Sequence, residues 1–259
     1  VNAAMRQMKL MELPSSGGEV DSYRTVGESI RRSFSHASPE AMQKVMAWLH
    51  GQPIRLQYLG CFEQSELEHD LSDYMSPHAT EVFEDGRTVF EYDTLLGLPD
   101  VQSMTRLSFA DFCKFLLDLQ AMMVGGEGGF RSGDIATAAD RTGASVRYPE
   151  PRAIGAGLRS IHEFWNSHVH SEPALAGVMA MAALLNLHPF MDGNGRVARV
   201  IFNWTLNGGR QDRVYLPLHE IAALSRCGYL IRLRQAQYHA NWAPLLNFIS
   251  MCGRRLFEE

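Results

Sequence analysis

The sequence predicts a mainly α-helical chain with a small β-element in its first half. Three observations carry this. Apolar residues recur at three- and four-residue spacing through most of the chain after Ser108. Capping signals stand at the starts of those stretches. The segment Pro173 to Leu187 is apolar on nearly every side, the pattern of a central, buried helix.

Taken in order, Pro14-Ser15-Ser16-Gly17-Gly18 reads as a loop. Ser38 is an N-cap candidate and Pro39 a first helical residue. Met42, Val45, Met46 and Leu49 then give helical spacing, so a helix is expected to Leu49. Glu81 to Phe90 reads as a β-hairpin, with Asp85-Gly86 at the turn and Val82, Phe83, Val89 and Phe90 on its arms. From Ser108, the residues Phe109, Phe112, Leu116, Leu119 and Met123 predict a helix that the run Gly125 to Gly129 ends. An irregular stretch follows, with Ser145-Val146-Arg147-Tyr148-Pro149 extended within it. Helices are then expected at Ile154 to Trp165, Pro173 to Leu187, Arg196 to Leu206 and Arg226 to Met251, the last divided or kinked at Pro244.

Composition bounds the class. The 259 residues carry 24 Lys plus Arg against 29 Asp plus Glu, a formal charge of −5, and 46% are hydrophobic. That excludes a disordered chain and argues against a nucleic-acid partner. The four cysteines, Cys61, Cys113, Cys227 and Cys252, form no C-x-x-C pair. They read as reduced, mostly buried residues outside any zinc or disulfide framework. His168 and His170 lack further ligands at metal-binding spacing and read as a polar loop. Trp165 and Trp242 read as core anchors. No apolar stretch is long enough to span a membrane, and no secretory segment opens the chain. The first residue is Val1, which is compatible with a piece of a longer protein.

The chemistry is concentrated in His188-Pro189-Phe190-Met191-Asp192-Gly193-Asn194-Gly195-Arg196, with Arg199 one helical turn on. Pro189 cannot continue the buried helix, so that helix delivers His188 to a loop. Gly193, Asn194 and Gly195 allow a tight turn and close approach to a ligand. A new helix starting near Asn194 offers free N–H groups to an anion. Arg196 and Arg199 add planar donors suited to phosphate. Asp192 supplies a hard oxygen ligand, as Mg²⁺ on a nucleotide requires.

This run resembles the signature of the Fic family, H-P-F-x-[D/E]-G-N-G-R-x-x-R, at every fixed position. Gly128-Gly129-Phe130-Arg131 is similar to the family's G-x-F-R element, and Val146 to Pro149 to its flap. Tyr229, Leu233 and Trp242 to Phe248 resemble the segment that closes the nucleotide pocket. The resemblance implies a Fic-type helical core with a short β-hairpin flap over residues 106–259, beside an N-terminal α+β region, 1–105, of unassigned role. It further implies a protein adenylyltransferase using ATP, or another NTP, with Mg²⁺. His188 would be the general base toward a Ser, Thr or Tyr hydroxyl of a target protein, and Asp192 the metal ligand. Gly193, Asn194 and Gly195 would form the anion hole. Arg196 and Arg199 would hold the β- and terminal phosphates, and Tyr229 would lie at the base. Ser145, Val146, Arg147 and Tyr148 would pair with a target segment as an added strand.

Gly195 stands where a phosphorylating relative has Lys, which favours nucleotidyl transfer. Gln237 stands where ATP-using relatives have Asn, which leaves UTP open and with it uridylyl transfer. Phosphocholine transfer, the toxin of a toxin–antitoxin pair and a non-catalytic binding module are the other readings. Relatives are often inhibited through [S/T]-x-x-x-E-[G/N]. Here Ser15 to Glu19 ends in Val20 and Thr80 to Glu84 ends in Asp85. The expectation is therefore no built-in inhibitor: either constitutive activity or restraint by a separate protein. The setting expected is a bacterial cytoplasm, or a host cell reached by delivery.

Overall fold

A computed structural model describes residues 5–14, 17–49, 87–104, 106–137, 145–225 and 228–258. The elements in chain order are β1 (Met5–Gln7), α1 (Gly17–Asp21), α2 (Arg24–His36), α3 (Pro39–Leu49), α4 (Arg87–Gly97), α5 (Phe109–Val124), β2 (Ser145–Arg147), α6 (Ile154–His168), α7 (Pro173–Leu187), α8 (Asn194–Leu206), α9 (Leu218–Leu224), α10 (Gly228–His239) and α11 (Ala243–Phe257).

The core is built around α7. Its run of Ala, Leu and Met is buried on every face, with Leu175, Met179, Met181 and Leu187 at 0% exposure. Each such Leu or Met contributes about 1.5–3 kcal/mol by leaving water. The alanines let neighbours approach closely: α8 and α6 pack along α7, and α2 lies between α7 and α11. Trp165 of α6 stacks on Trp204 of α8 at 5.5 Å and donates from Nε1 to Thr205 Oγ1 at 3.0 Å. Met11, Ile30, Phe34 and Leu95 join the same core, so the described parts of the first hundred residues pack on the helices that follow.

Several expected boundaries are found. Ser38 accepts from the Ala41 N–H at 3.2 Å ahead of α3. Ser108 caps α5 through the Asp111 N–H, and Gly125 ends it at φ 74°. Pro244 sits in the first turn of α11, and the chain is divided just ahead of it. Helices α1, α2 and α9 were not expected; α1 takes Gly17 and Gly18 out of the presumed loop.

The hairpin reading is overturned for residues 87–90, which open helix α4. Thr88, Glu91 and Leu95 are its buried residues, at helical spacing, while Phe90 is 47% exposed. The β-branched and aromatic residues gave a strand signal that packing against α8 overrides. The remainder of that segment, 81–86, lies outside the described residues, as do Cys61 and Cys227.

The flap strand β2 has partners on both sides. The Thr137 N–H donates to Val146 O at 2.8 Å and the Tyr148 N–H to Ile135 O at 3.0 Å, the antiparallel arm of a hairpin. On the other side β1 runs parallel, with Met5, Arg6 and Gln7 opposite Ser145, Val146 and Arg147.

Candidate active site

Helix α7 ends by turning left-handed at His188, with φ 51° and ψ 59°. That conformation costs a non-glycine residue free energy and needs support from its surroundings. Arg131 gives it. The guanidinium donates to the carbonyls of His188 (2.7 Å), Gly133 (2.9 Å), Leu187 (3.3 Å) and Pro149. Its own N–H donates to Pro189 O at 2.9 Å. One buried side chain therefore ties the flap to the histidine loop. Burial lowers the pKa of Arg131 from its ordinary value, and the site is built entirely of acceptors for it.

The His188 ring lies against Tyr148, centroids 3.8 Å apart and nearly parallel. Its Nδ1 is 3.3 Å from Leu185 O. A carbonyl only accepts, so Nδ1 carries the hydrogen and Nε2 keeps its lone pair. Burial lowers the pKa of His188 to about 4, with the charges of Arg131 and Arg234 acting the same way. The imidazole is neutral at physiological pH and ready to accept a proton.

The loop after it is fixed from within. Phe190 is fully buried and stacks on Phe130 at 5.6 Å. The Asn194 side chain accepts from the Phe190 N–H (2.9 Å) and donates to Phe190 O (2.8 Å). Gly193 sits at φ 87°, and a Cβ there would lie 3.0 Å from Val124 Cγ1, so both backbone and space demand glycine. Its N–H donates to Asp192 Oδ1 at 2.6 Å. Helix α8 then starts, and its first-turn N–H groups have no partners within the helix. Arg196 flanks that end, bonded to Asp192 Oδ2 at 2.8 Å and to Met123 O. The result is a positive cradle one short loop from a neutral histidine.

Arg199 does not face that cradle as a free donor. Its Nε donates to Glu91 Oε2 at 3.0 Å and its terminal nitrogen to Glu91 Oε1. Glu91 is fully buried on α4, and the Tyr215 hydroxyl also donates to it. Burial works against the charge on Arg199; Glu91 outweighs it and holds the guanidinium protonated. Nearby, the Thr88 hydroxyl donates to Glu220 Oε2 at 2.6 Å, and burial pushes the Glu220 carboxyl up to about 7.

A buried carboxylate of the same chain, Glu91, thus pairs with the second arginine of the motif. Glu91 does not fit [S/T]-x-x-x-E-[G/N], since Arg87 and Tyr92 stand where that pattern has Ser or Thr and Gly or Asn. The hairpin reading of the same segment hid it further. Glu84 lies outside the described residues, and Glu19 is on α1.

The structure brings His188, Asp192, Gly193, Asn194, Gly195 and Arg196 to one loop and helix end. It gives other residues surroundings different from the anion hole, base pocket and open flap expected. The Asn194 amide is engaged with Phe190 and serves to shape the loop. Tyr229 is 8% exposed with its hydroxyl toward Met181 Sδ at 3.9 Å, and burial raises its pKa to about 12. Gln237 donates to Ala182 O at 3.0 Å. Ser145, Val146 and Arg147 do not present an open edge, since β1 covers it. His168 closes α6, with Nδ1 2.8 Å from Phe164 O. Arg131, quoted only as part of a short element, is the residue that organises the site.

Among the described residues no group of three or more His, Cys, Asp or Glu is placed to hold a metal. Asp192 is a single carboxylate with its side chain 76% exposed. That donor set fits Mg²⁺ carried in by a polyphosphate, which keeps most of its ligands as water and phosphate oxygen. It does not fit a resident metal.

Comparison with known proteins agrees with this geometry. Residues 111–206 match the model of the Fic/DOC family, a span that includes Arg131 and the whole run from His188 to Arg199. A protein adenylyltransferase Fic of Drosophila willistoni is 23% identical over 180 residues, covering 67% of this chain and 35% of its own length. One of Drosophila virilis is 25% identical over 181 residues, covering 67% and 36%. This chain thus spans about a third of the length of the curated relatives it matches. A crystal structure of a Fic family protein from Desulfovibrio desulfuricans G20 superposes with a TM-score of 0.56 at 16% identity, covering 95% of this chain and 74% of that one. Fic-1 (residues 134–508) from C. elegans gives 0.53 at 18%, covering 93% and 72%. Residues 111–206 thus resemble the Fic/DOC family, and the chain shares the fold of these structures.

Proposed function

We propose that the protein moves AMP from ATP onto a Ser, Thr or Tyr hydroxyl of a target protein. The observation that carries this is a neutral, desolvated His188, one nitrogen tied to Leu185 O, placed one loop from the N-terminus of α8. His188 Nε2 takes the hydroxyl proton, the oxygen attacks the α-phosphorus, and pyrophosphate leaves. The α8 N–H groups and Arg196 face the charge that builds on the phosphate oxygens. Asp192 would hold Mg²⁺, which neutralises phosphate charge when bound. The adenylyltransferase names of the Drosophila relatives support the same reaction.

Arg199 would hold the terminal phosphate, so the protein as it stands is at rest: Glu91 occupies the guanidinium that the nucleotide needs. Restraint in cis would then stand in place of the constitutive activity or separate inhibitor expected from the sequence. UTP is a second reading, left open by Gln237, which stands where ATP-using relatives have Asn. A bacterial regulator, a toxin and a delivered effector all fit this chemistry.

The test is intact-mass spectrometry after incubation with Mg²⁺ and each of ATP, UTP, GTP and CTP, on the wild type, Glu91→Gly and Glu91→Gly/His188→Ala. A gain of one nucleotide monophosphate in Glu91→Gly that the double variant loses is the expected result, and the nucleotide that works identifies the base. Absence of both mass gain and Mg²⁺-nucleotide binding in Glu91→Gly would overturn the reading in favour of a binding module.

A further inference from the structure

Strand β2 borders the candidate site, because Tyr148, at its end, lies on His188. One edge of β2 is bonded to residues 135–137. The other edge is covered by the chain's own β1. The Met8 N–H donates to Arg147 O at 2.8 Å, and Gln7 Nε2 donates to Tyr148 O at 3.0 Å.

The segment changes character at Met8. From Met8 onward it is fastened: Met8 is 1% exposed, and Asn186 accepts from the Met11 N–H (2.9 Å) and donates to Lys9 O (3.1 Å). Before Met8, Met5, Arg6 and Gln7 are all exposed, and their described tie to the protein is the pairing with β2 and the Gln7 amide. Lifting residues 5–7 away uncovers no core and leaves the Asn186 clamp in place. A short exposed strand on an edge is the easiest kind to exchange, since its replacement makes the same main-chain hydrogen bonds.

We propose that residues 5–7 are a built-in occupant of the peptide-acceptor edge of β2, and that an extended segment of the protein substrate enters by strand exchange with them. The incoming segment runs parallel to β2 in the register of β1. Recognition is through main-chain groups, so it tolerates varied side chains but excludes proline at positions whose N–H faces β2. This rests on the reading of the cleft as a protein-modifying site. Two separate restraints then act on the two substrates: Glu91 on the nucleotide side and β1 on the protein side.

In a parallel ladder alternate residues address the same neighbour, so the Arg6 N–H points to β2 as that of Met8 does. Arg6→Pro removes that donor without touching Met8. The probe is a fluorescein-labelled peptide with the sequence of Ala3 to Leu10, followed by anisotropy on a His188→Ala background. It is expected to bind Arg6→Pro about tenfold or more tighter than the parent, because the competing cis strand is gone. The same peptide with its arginine replaced by proline is expected not to bind. Equal affinity for both proteins, or binding to neither, overturns the proposal. Should Arg6→Pro lower the melting temperature, a variant lacking residues 1–6 is read the same way. Neither assay requires nucleotide or chemistry, so a failure of nucleotidyl transfer and a failure of strand exchange are separately visible.

Discussion

Glu91→Gly sets stability against nucleotide affinity. The Arg199–Glu91 pair is bidentate, one carboxylate oxygen also accepts from Tyr215, and Glu91 is fully buried. Removing one partner of such a pair strands the other, at about 3–5 kcal/mol. Glycine inside α4 adds about 1 kcal/mol of backbone cost, which Glu91→Ala separates from the charge effect. Without ligand the variant should therefore melt lower by roughly 10–20 °C, at about 2–4 °C per kcal/mol for a chain of this size. With Mg²⁺-ATP the order reverses. On the proposed role of Arg199, the terminal phosphate displaces Glu91 in the wild type, at a loss of about 2–4 kcal/mol from the pair. At about 1.4 kcal/mol per decade, the variant should bind roughly 30- to 1000-fold more tightly. Titration calorimetry with Mg²⁺-ATP and melting scans with and without nucleotide measure both sides. A variant that melts lower but binds nucleotide no more tightly than the wild type would refute the reasoning, since Arg199 would then be a structural residue only.

Four further outcomes follow from the same geometry. Burial holds His188 at about 4 against an ordinary 6.5, so this group contributes stability above pH 6.5 that is lost as pH falls toward 4, and kcat/KM of Glu91→Gly should stay level down to about pH 5. Tyr148→Ala uncovers the ring and should move its NMR titration midpoint upward toward 6.5; an unmoved midpoint would show that Tyr148 does not shield it. Glu220 is raised to about 7 from 4.5, so the folded state keeps a proton the unfolded chain releases, and stability should fall as pH rises between those values. Glu220→Gln should flatten urea midpoints across that window, and an unchanged slope would assign it to another group. Arg131→Met fills similar space but leaves the carbonyls of His188, Leu187, Gly133 and Pro149 without their donor, for a loss of about 3 kcal/mol or more in urea unfolding. An unchanged midpoint would contradict its place as the tie between flap and loop.

What the sequence revealed follows a physical division. Helices α5 and α7, and the start of α8, were legible because local signals agree there: a cap, a period and a stop all point one way. The run from His188 to Arg196 was legible because chemistry compresses it into one loop and one helix end. Glu91 was not, because its meaning lies in a partner 108 residues away and its own neighbourhood reads as strand. β1 escaped for the same reason: three exposed residues acquire significance only from the strand beside them. Tyr229 shows the converse, a residue assigned to the pocket by position whose side chain the packing of α7 and α11 turns into the core.

The Arg131 tie also has a kinetic meaning. It joins segments 18 and 57 residues apart in one set of hydrogen bonds, so neither the flap nor the histidine loop reaches its final shape until both loops have closed. The two should open together, as one cooperative unit in amide exchange, with protection well above that of a surface hairpin. Residues 5–7, fastened only from Met8 onward, should exchange as a separate and much faster population. The slow unit then contains His188, and the fast one lies along its edge.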